Sequence, residues 1–176
     1  MVSGMSLYQD SVVQMSIMLR GLEGCIDKAI TFAEAKECSP DDFVGFRLAP
    51  DMRPFAFQVQ AACDTAKFAG SRLAGVEAPA FEDTEKTIPE LQARIRKTLA
   101  FLETLDEGQF AGAAEREIAL SFLPGKATTG AHYLREFAQP NFYFHLTTAY
   151  NLLRSAGVNV GKRDYLTHMT LHDLES

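Results

Sequence analysis

Residues 8–33, YQDSVVQMSIMLRGLEGCIDKAITFA, set Tyr8, Val12, Met15, Leu19, Leu22, Ile26, Ala29 and Ala33 at alternating steps of four and three. At about 100° per residue these steps keep one apolar stripe on one face, so the segment reads as a long amphipathic helix. Met18, Cys25 and Phe32 widen the stripe. Ser6 is the expected N-cap, and Ser39-Pro40-Asp41-Asp42 ends the segment or starts a short turn after it.

The same period recurs downstream. Phe43 to Arg53 is a connector, and Pro54 suits the first turn of a second helix, carried by Phe55, Val59, Ala62, Ala66, Ala69 and Leu73. Its largely alanine face lets a neighbour approach closely. Gly75 stands where this helix stops, and Val76 to Asp83 is a loop. Thr87-Ile88-Pro89-Glu90 then opens a third helix carried by Leu91, Ile95, Leu99, Leu102 and Leu105. Between Asp106 and Gly130 the helical period fails. Glu117 to Phe122 alternates polar and apolar up to Pro124-Gly125-Lys126, which reads as a small hairpin or extended loop. Thr128 or Thr129 caps a fourth helix running to about Ser155, with Gly157 as its stop. After Gly157 the chain packs through Tyr165 and then frays. The expected fold is all-α: a four-helix bundle with a short loop or β-hairpin insertion between the third and fourth helices.

Composition bounds the partners. The 176 residues suit one domain of about 150, expected over 5–166 with 167–176 as a flexible tail. Apolar residues at 47% and charged residues at 23% fit a globular chain. A net charge of −6 argues against surfaces that neutralise phosphate, so neither nucleic acid nor an anionic membrane is an expected partner. Cys25, Cys38 and Cys63 form an odd set without CxxC or zinc-ligand spacing; Cys25 and Cys63 read as buried apolar side chains and Cys38 as exposed. Residues 1–6 lack the basic and apolar regions of a signal peptide, Met5 reads as the natural start, and a reducing cytoplasm is the expected compartment.

A few polar residues stand apart. Phasing the fourth helix on Leu134, Phe137, Phe144 and Leu152 brings Asn141 and Thr148 into the inward arc and His145 to its edge, with Phe142, Tyr143, Leu146, Tyr150 and Leu153 on the opposite side. Such a helix is buried on two sides, the second against the insertion, the tail or another subunit, and a homodimer is expected. On the second helix the same exercise turns Gln58 inward and Gln60 and Asp64 outward. Unpartnered burial costs about 1–3 kcal/mol per group, so Gln58, Asn141, His145 and Thr148 either pair in the core or line a pocket. Asn141 and His145, at i and i+4, also have the spacing of two ligands to one metal. Pro140 removes the amide that would bond to the carbonyl of Glu136, which predicts a bend or bulge there. His168 and His172 read as solvated and His132 as exposed. No Glu-x-x-His pair, GxSxG, HExxH, P-loop or GxGxxG occurs.

The runs Arg47-Leu48-Ala49-Pro50-Asp51-Met52, Gln58-Val59-Gln60 with Cys63-Asp64, Arg72-Leu73-Ala74-Gly75, Phe81-Glu82-Asp83-Thr84-Glu85, Pro140-Asn141-Phe142-Tyr143-Phe144-His145 with Thr147-Thr148-Ala149-Tyr150, and Gly161-Lys162-Arg163-Asp164-Tyr165 resemble a bacterial family of uncharacterised proteins grouped with the DinB/YfiT-like metalloenzymes. The resemblance spans Met5 to Leu166 and implies a DinB-like four-helix bundle, commonly dimeric. Classical relatives hold a divalent metal with one His from the second helix and an HxxxH pair on the fourth, and metal-binding members carry thiol-dependent transferase and isomerase activities. The matching positions here are Asn141 and His145, with Gln58, or Gln60 in another register, on the second helix. Only His145 keeps the ligand type. The expected function is therefore a small-molecule-binding or degenerate enzyme scaffold that has lost the three-His site, with no cofactor. A divalent-metal-dependent enzyme using His145, Asn141 and Gln58, and a non-catalytic dimeric interaction module, are the alternatives.

Overall fold

The computed structural model describes residues 6–120 and 123–174. Ser6 Oγ accepts the Gln9 amide at 3.2 Å, and a π-helical turn, Gln9–Val13, runs without a break into α1 (Gln14–Ala35). The stripe from Val12 to Ala33 lies in the core, with Leu19, Ile26, Ala29 and Ala33 fully covered. Burying Leu19 or Ile26 contributes about 1.5–3 kcal/mol each.

After a 3-10 turn, Pro40–Phe43, and the connector, α2 (Phe55–Ala74) ends at Gly75, whose φ of 73° is a left-handed conformation open to glycine. The next loop leads to α3 (Ile88–Glu103), opened by a capping box in which Thr87 and Glu90 satisfy each other's backbone amides. The apolar residues expected on α2 and α3 are all buried.

The insertion is an antiparallel pair, β1 (Glu117–Ala119) and β2 (Ala127–Thr129), with Ile118 opposite Thr128. Ser121 and Phe122, the end of the expected alternation, lie outside the described residues, as do Met5, Glu175 and Ser176. Thr129 caps a short turn, Gly130–His132, which passes through a π-helical stretch, Tyr133–Ala138, into α4 (Gln139–Ser155). Gly157, at φ 97°, stops it. Val158 and Val160 then bury fully, ahead of the short α5 (Lys162–Tyr165), so the chain is anchored earlier than Tyr165. Residues 166–174 are exposed and carry no helix or strand, His168 and His172 among them.

The molecule is thus an all-α bundle of four long helices with a hairpin between the third and fourth. α2 packs most extensively against α4 and then α3, while α1 closes the other side. Among the described residues no helix is long and apolar enough to cross a membrane. Cys25 and Cys63 are buried and Cys38 is exposed, all three as free thiols.

Candidate functional site

Three hydrogen bonds bridge α2 to the final helical segment. His145 Nδ1 meets Gln58 Oε1 at 2.8 Å, Asn141 Nδ2 donates to Thr65 Oγ1 at 2.7 Å, and Arg72 Nη1 donates to the Tyr133 hydroxyl at 2.9 Å. Numbers rise on one partner as they fall on the other, so the two segments run antiparallel. Between positions 58 and 72 α2 rises roughly 21 Å, and the three bonds are spaced along that length.

Beside them lies a groove of about 350 Å³ whose walls include Phe57, Phe68, Phe137, Tyr133, Asn141 and His145. Gln60, Asp64, Thr65, Arg72 and Asp83 complete its polar lining. Gln58 holds His145 without lining the groove: its Nε2 donates to the Arg53 carbonyl at 3.1 Å, which leaves Oε1 as the acceptor for the imidazole. Nδ1 therefore carries the proton and Nε2 a lone pair. Burial alone lowers the His145 pKa from its ordinary 6.5, favouring the neutral ring near pH 7. Phe57 and Phe144 meet that ring edge-on, with centroids 5.8 and 5.1 Å away. At the other end burial raises the Tyr133 pKa against the opposing pull of Arg72, so its hydroxyl stays neutral.

The phasing of α4 needs correction. Phe144 is 59% exposed, whereas Phe142, Leu146 and Leu153, expected on the opposite side, form the core face together with Ala149. The cause is the π-helical stretch just before Pro140. Each π-bulge takes in one extra residue and rotates the next turns of helix by about 100° relative to a straight one. The bulge expected from Pro140 is present; its effect on phase is what constant-angle counting misses. Asn141 and His145 consequently sit half-buried at the edge of the α2–α4 contact. Thr148 is buried but does not line the groove, its hydroxyl donating to the Phe144 carbonyl one turn back.

Gln60 and Asp64 do not point outward. Gln60 is 7% exposed and donates to Glu85 Oε2 at 2.9 Å, and Asp64 accepts from Arg94 at 2.9 Å and from Lys67 at 2.8 Å. Single-stripe phasing fails because α2 is covered on two sides, the second by the loop after Gly75 and by Arg94 of α3. Lys67 and Arg94, both nearly fully buried, are the residues that sequence reasoning misses. Arg94 does carry a signal, standing one turn after Leu91 and one turn before the buried Thr98, on the flank of the α3 stripe.

As a metal centre the donors are poor. Gln58 spends both ends of its amide within the protein, Asn141 spends its NH₂ on Thr65, and a single imidazole nitrogen is left. Among the described residues no group of three His, Cys, Asp or Glu could hold an ion. One imidazole with an amide oxygen suits none of the common transition-metal sets.

Residues 7–166 match the family described as "Domain of unknown function (DUF1993)". The chain belongs to this family. A crystal structure of a DinB family member from Shewanella denitrificans, at 1.83 Å resolution, is 45% identical, with a TM-score of 0.91 and 96% of each chain covered. This DUF1993 chain thus shares the fold of that DinB family member over nearly its full length. A comparison with curated proteins gives no match.

Proposed function

We propose that this DUF1993 protein is a small-molecule-binding or degenerate enzyme scaffold, with the groove between α2 and α4 as its site. The observation that carries the reading is the tethered His145. Gln58 fixes its tautomer, so a neutral ring offers Nε2 as an acceptor beside a groove with aromatic walls. Pockets that orient small ligands have this mixture of apolar walls and a few placed polar groups. No metal is needed for it, and the donors around His145 argue against one.

The test joins metal analysis with ligand-dependent melting, on protein purified without added chelator. Substoichiometric metal, together with Tm shifts from a small-molecule set that vanish in His145→Ala, supports the reading. Stoichiometric zinc, nickel or iron lost in His145→Ala would put the metal-dependent enzyme in its place. Tm shifts absent for every compound, with Asn141→Leu tolerated or stabilising, would leave a non-catalytic interaction module. A homodimer is the proposed assembly, with Phe144 as the exposed apolar side chain it would cover; light scattering of the eluted protein reads its mass. The three free thiols support a reducing cytoplasm as the compartment.

A further inference from the structure

We infer that the Arg72 end of the groove is an anion subsite, built for the carboxylate of a planar, apolar acid. The inference rests on the groove being a ligand site and adds the class of ligand. Arg72 lies over two rings, its Cζ 5.0 Å from the Phe68 centroid and 5.3 Å from that of Tyr133. Its Nη1 is committed to the Tyr133 hydroxyl. The guanidinium is therefore held in place by stacking and one hydrogen bond, which lowers the entropy lost when its other donors engage a ligand.

No carboxylate pairs with it among the described residues, in contrast to Arg20, Arg94 and Arg96, which each have one. A cation fixed in a groove without a counter-ion is a place for a ligand's charge, and the fork of Arg matches a carboxylate in two parallel bonds. Asp64 and Asp83 also line the groove and would repel an anion; Arg94, shared with Glu85, and Lys67 offset most of that charge, and Asp64 stands about two turns of α2 away from Arg72. The walls next to Arg72 are Phe68, Tyr133 and Phe137, which favour a flat apolar body over a hydroxylated one. A carboxylate on Arg72 would direct that body along the groove toward Asn141.

Fluorine NMR with 4-fluorophenylacetate and its neutral amide, 4-fluorophenylacetamide, tests this on the full chain. The acid is expected to bind saturably and about tenfold more tightly than the amide. Raising NaCl from about 0.05 to about 0.5 M should weaken the acid and leave the amide unchanged, a readout that needs no variant. Arg72→Gln should remove the preference for the acid while amide binding persists, and Arg72→Lys should restore part of it. Equal binding of acid and amide, both lost in Asn141→Leu, would overturn the anion subsite and leave the groove reading intact. A preference for the acid that survives Arg72→Gln would also overturn it, and so would the absence of binding by either probe. If the wider compound set shifts no Tm either, the groove reading falls with it.

Discussion

Nδ1 of His145 lies 2.8 Å from Oε1 of Gln58 on the facing helix, and the Gln58 amide is oriented in turn by the Arg53 carbonyl just before that helix begins. The chain of carbonyl, amide and imidazole passes from the connector through α2 to α4. It sets the tautomer of the ring from behind and leaves the face toward the groove free. A histidine pointing the same way without Gln58 would divide its proton between two nitrogens.

Replacing Gln58 with leucine should therefore do two separable things. It strands a half-buried Nδ1–H at a cost of about 1–3 kcal/mol, measurable by urea denaturation. It also mixes the tautomers, which nitrogen-15 NMR of the imidazole reads directly. A Gln58→Leu protein with an unchanged Nδ1–H tautomer would show that burial, not the amide, selects it.

Burial lowers the His145 pKa below 6.5 in the folded chain, so the unfolded chain takes up the proton first as pH falls. The stabilisation from keeping this ring neutral is complete above pH 6.5 and is lost as pH falls from there through the folded pKa. His145→Gln should flatten that limb of the stability profile. NMR titration of the ring should place its midpoint below 6.5.

The helices are legible in the sequence because their stripes are long and their ends carry local chemistry: Ser6, the Thr87–Glu90 box, Thr129, Gly75 and Gly157 all act where their residue types place them. The pairing of Gln58 with His145 is half legible, since each residue is marked as inward but nothing local ties one to the other. Counting at a constant angle puts Phe144 on the wrong side because the π-bulge ahead of Pro140 changes phase without changing composition. The same counting turns Gln60 and Asp64 outward because their partners, Glu85 and Arg94, come from elements far along the chain. A polar residue on a single helix face carries no mark of what a later loop will lay over it.

Gly130 and Gly24 should respond in opposite ways to alanine. A Cβ at Gly130 would run into the Ala113 carbonyl oxygen and sit 3.0 Å from Leu73 Cδ2, at the point where the hairpin docks on α2. The Gly130 and Ala131 amides already bind the Arg116 and Ala114 carbonyls at 2.9 and 3.0 Å, so the backbone has little room to retreat. Gly130→Ala should cost at least about 1–3 kcal/mol. Gly24, exposed within α1, has nothing within 4 Å of such a Cβ, and Gly24→Ala should gain up to about 1 kcal/mol from helix propensity. Thermal melts of the two variants decide it.

Thiol labelling should separate the cysteines cleanly. Burial pushes Cys63 up to about 12 and Cys25 up to about 11, the latter with help from the Asp164 charge. Since the thiolate is the reactive form, both should resist iodoacetamide at pH 8 in the native protein, while the exposed Cys38 is alkylated. Mass spectrometry should find one adduct before denaturation and three after it. Native alkylation at Cys63 would mean that the α2–α3 packing opens far more often than its burial implies.

Arg94 should prove the most sensitive charged residue in the chain. It is 2% exposed and reaches Asp64 at 2.9 Å and Asp83 and Glu85 at 3.0 Å each, while Phe81 lies under its guanidinium at 5.3 Å. Its Nε has no partner, so the network already carries one uncompensated donor. Arg94→Met would leave Glu85, 12% exposed, facing a neutral side chain, and removing one partner from a buried pair costs on the order of 3–5 kcal/mol. Burial raises the Glu85 pKa, but the Gln60 amide, the residue's own backbone and Arg94 outweigh it and hold the group below its ordinary 4.5. That stabilisation is present above pH 4.5 and is lost as pH falls through the folded value, a window that opens at lower pH than that of His145. Urea titrations of wild type and Arg94→Met, taken from pH 7 downward, should therefore converge as the pH falls below 4.5 and through the folded value. Hydrogen exchange at residues 81–85 should quicken in the variant as the loop leaves α2. A gap between the two proteins that stays constant with pH would assign the loss to packing of the Arg94 stem on Phe81 and not to its charge.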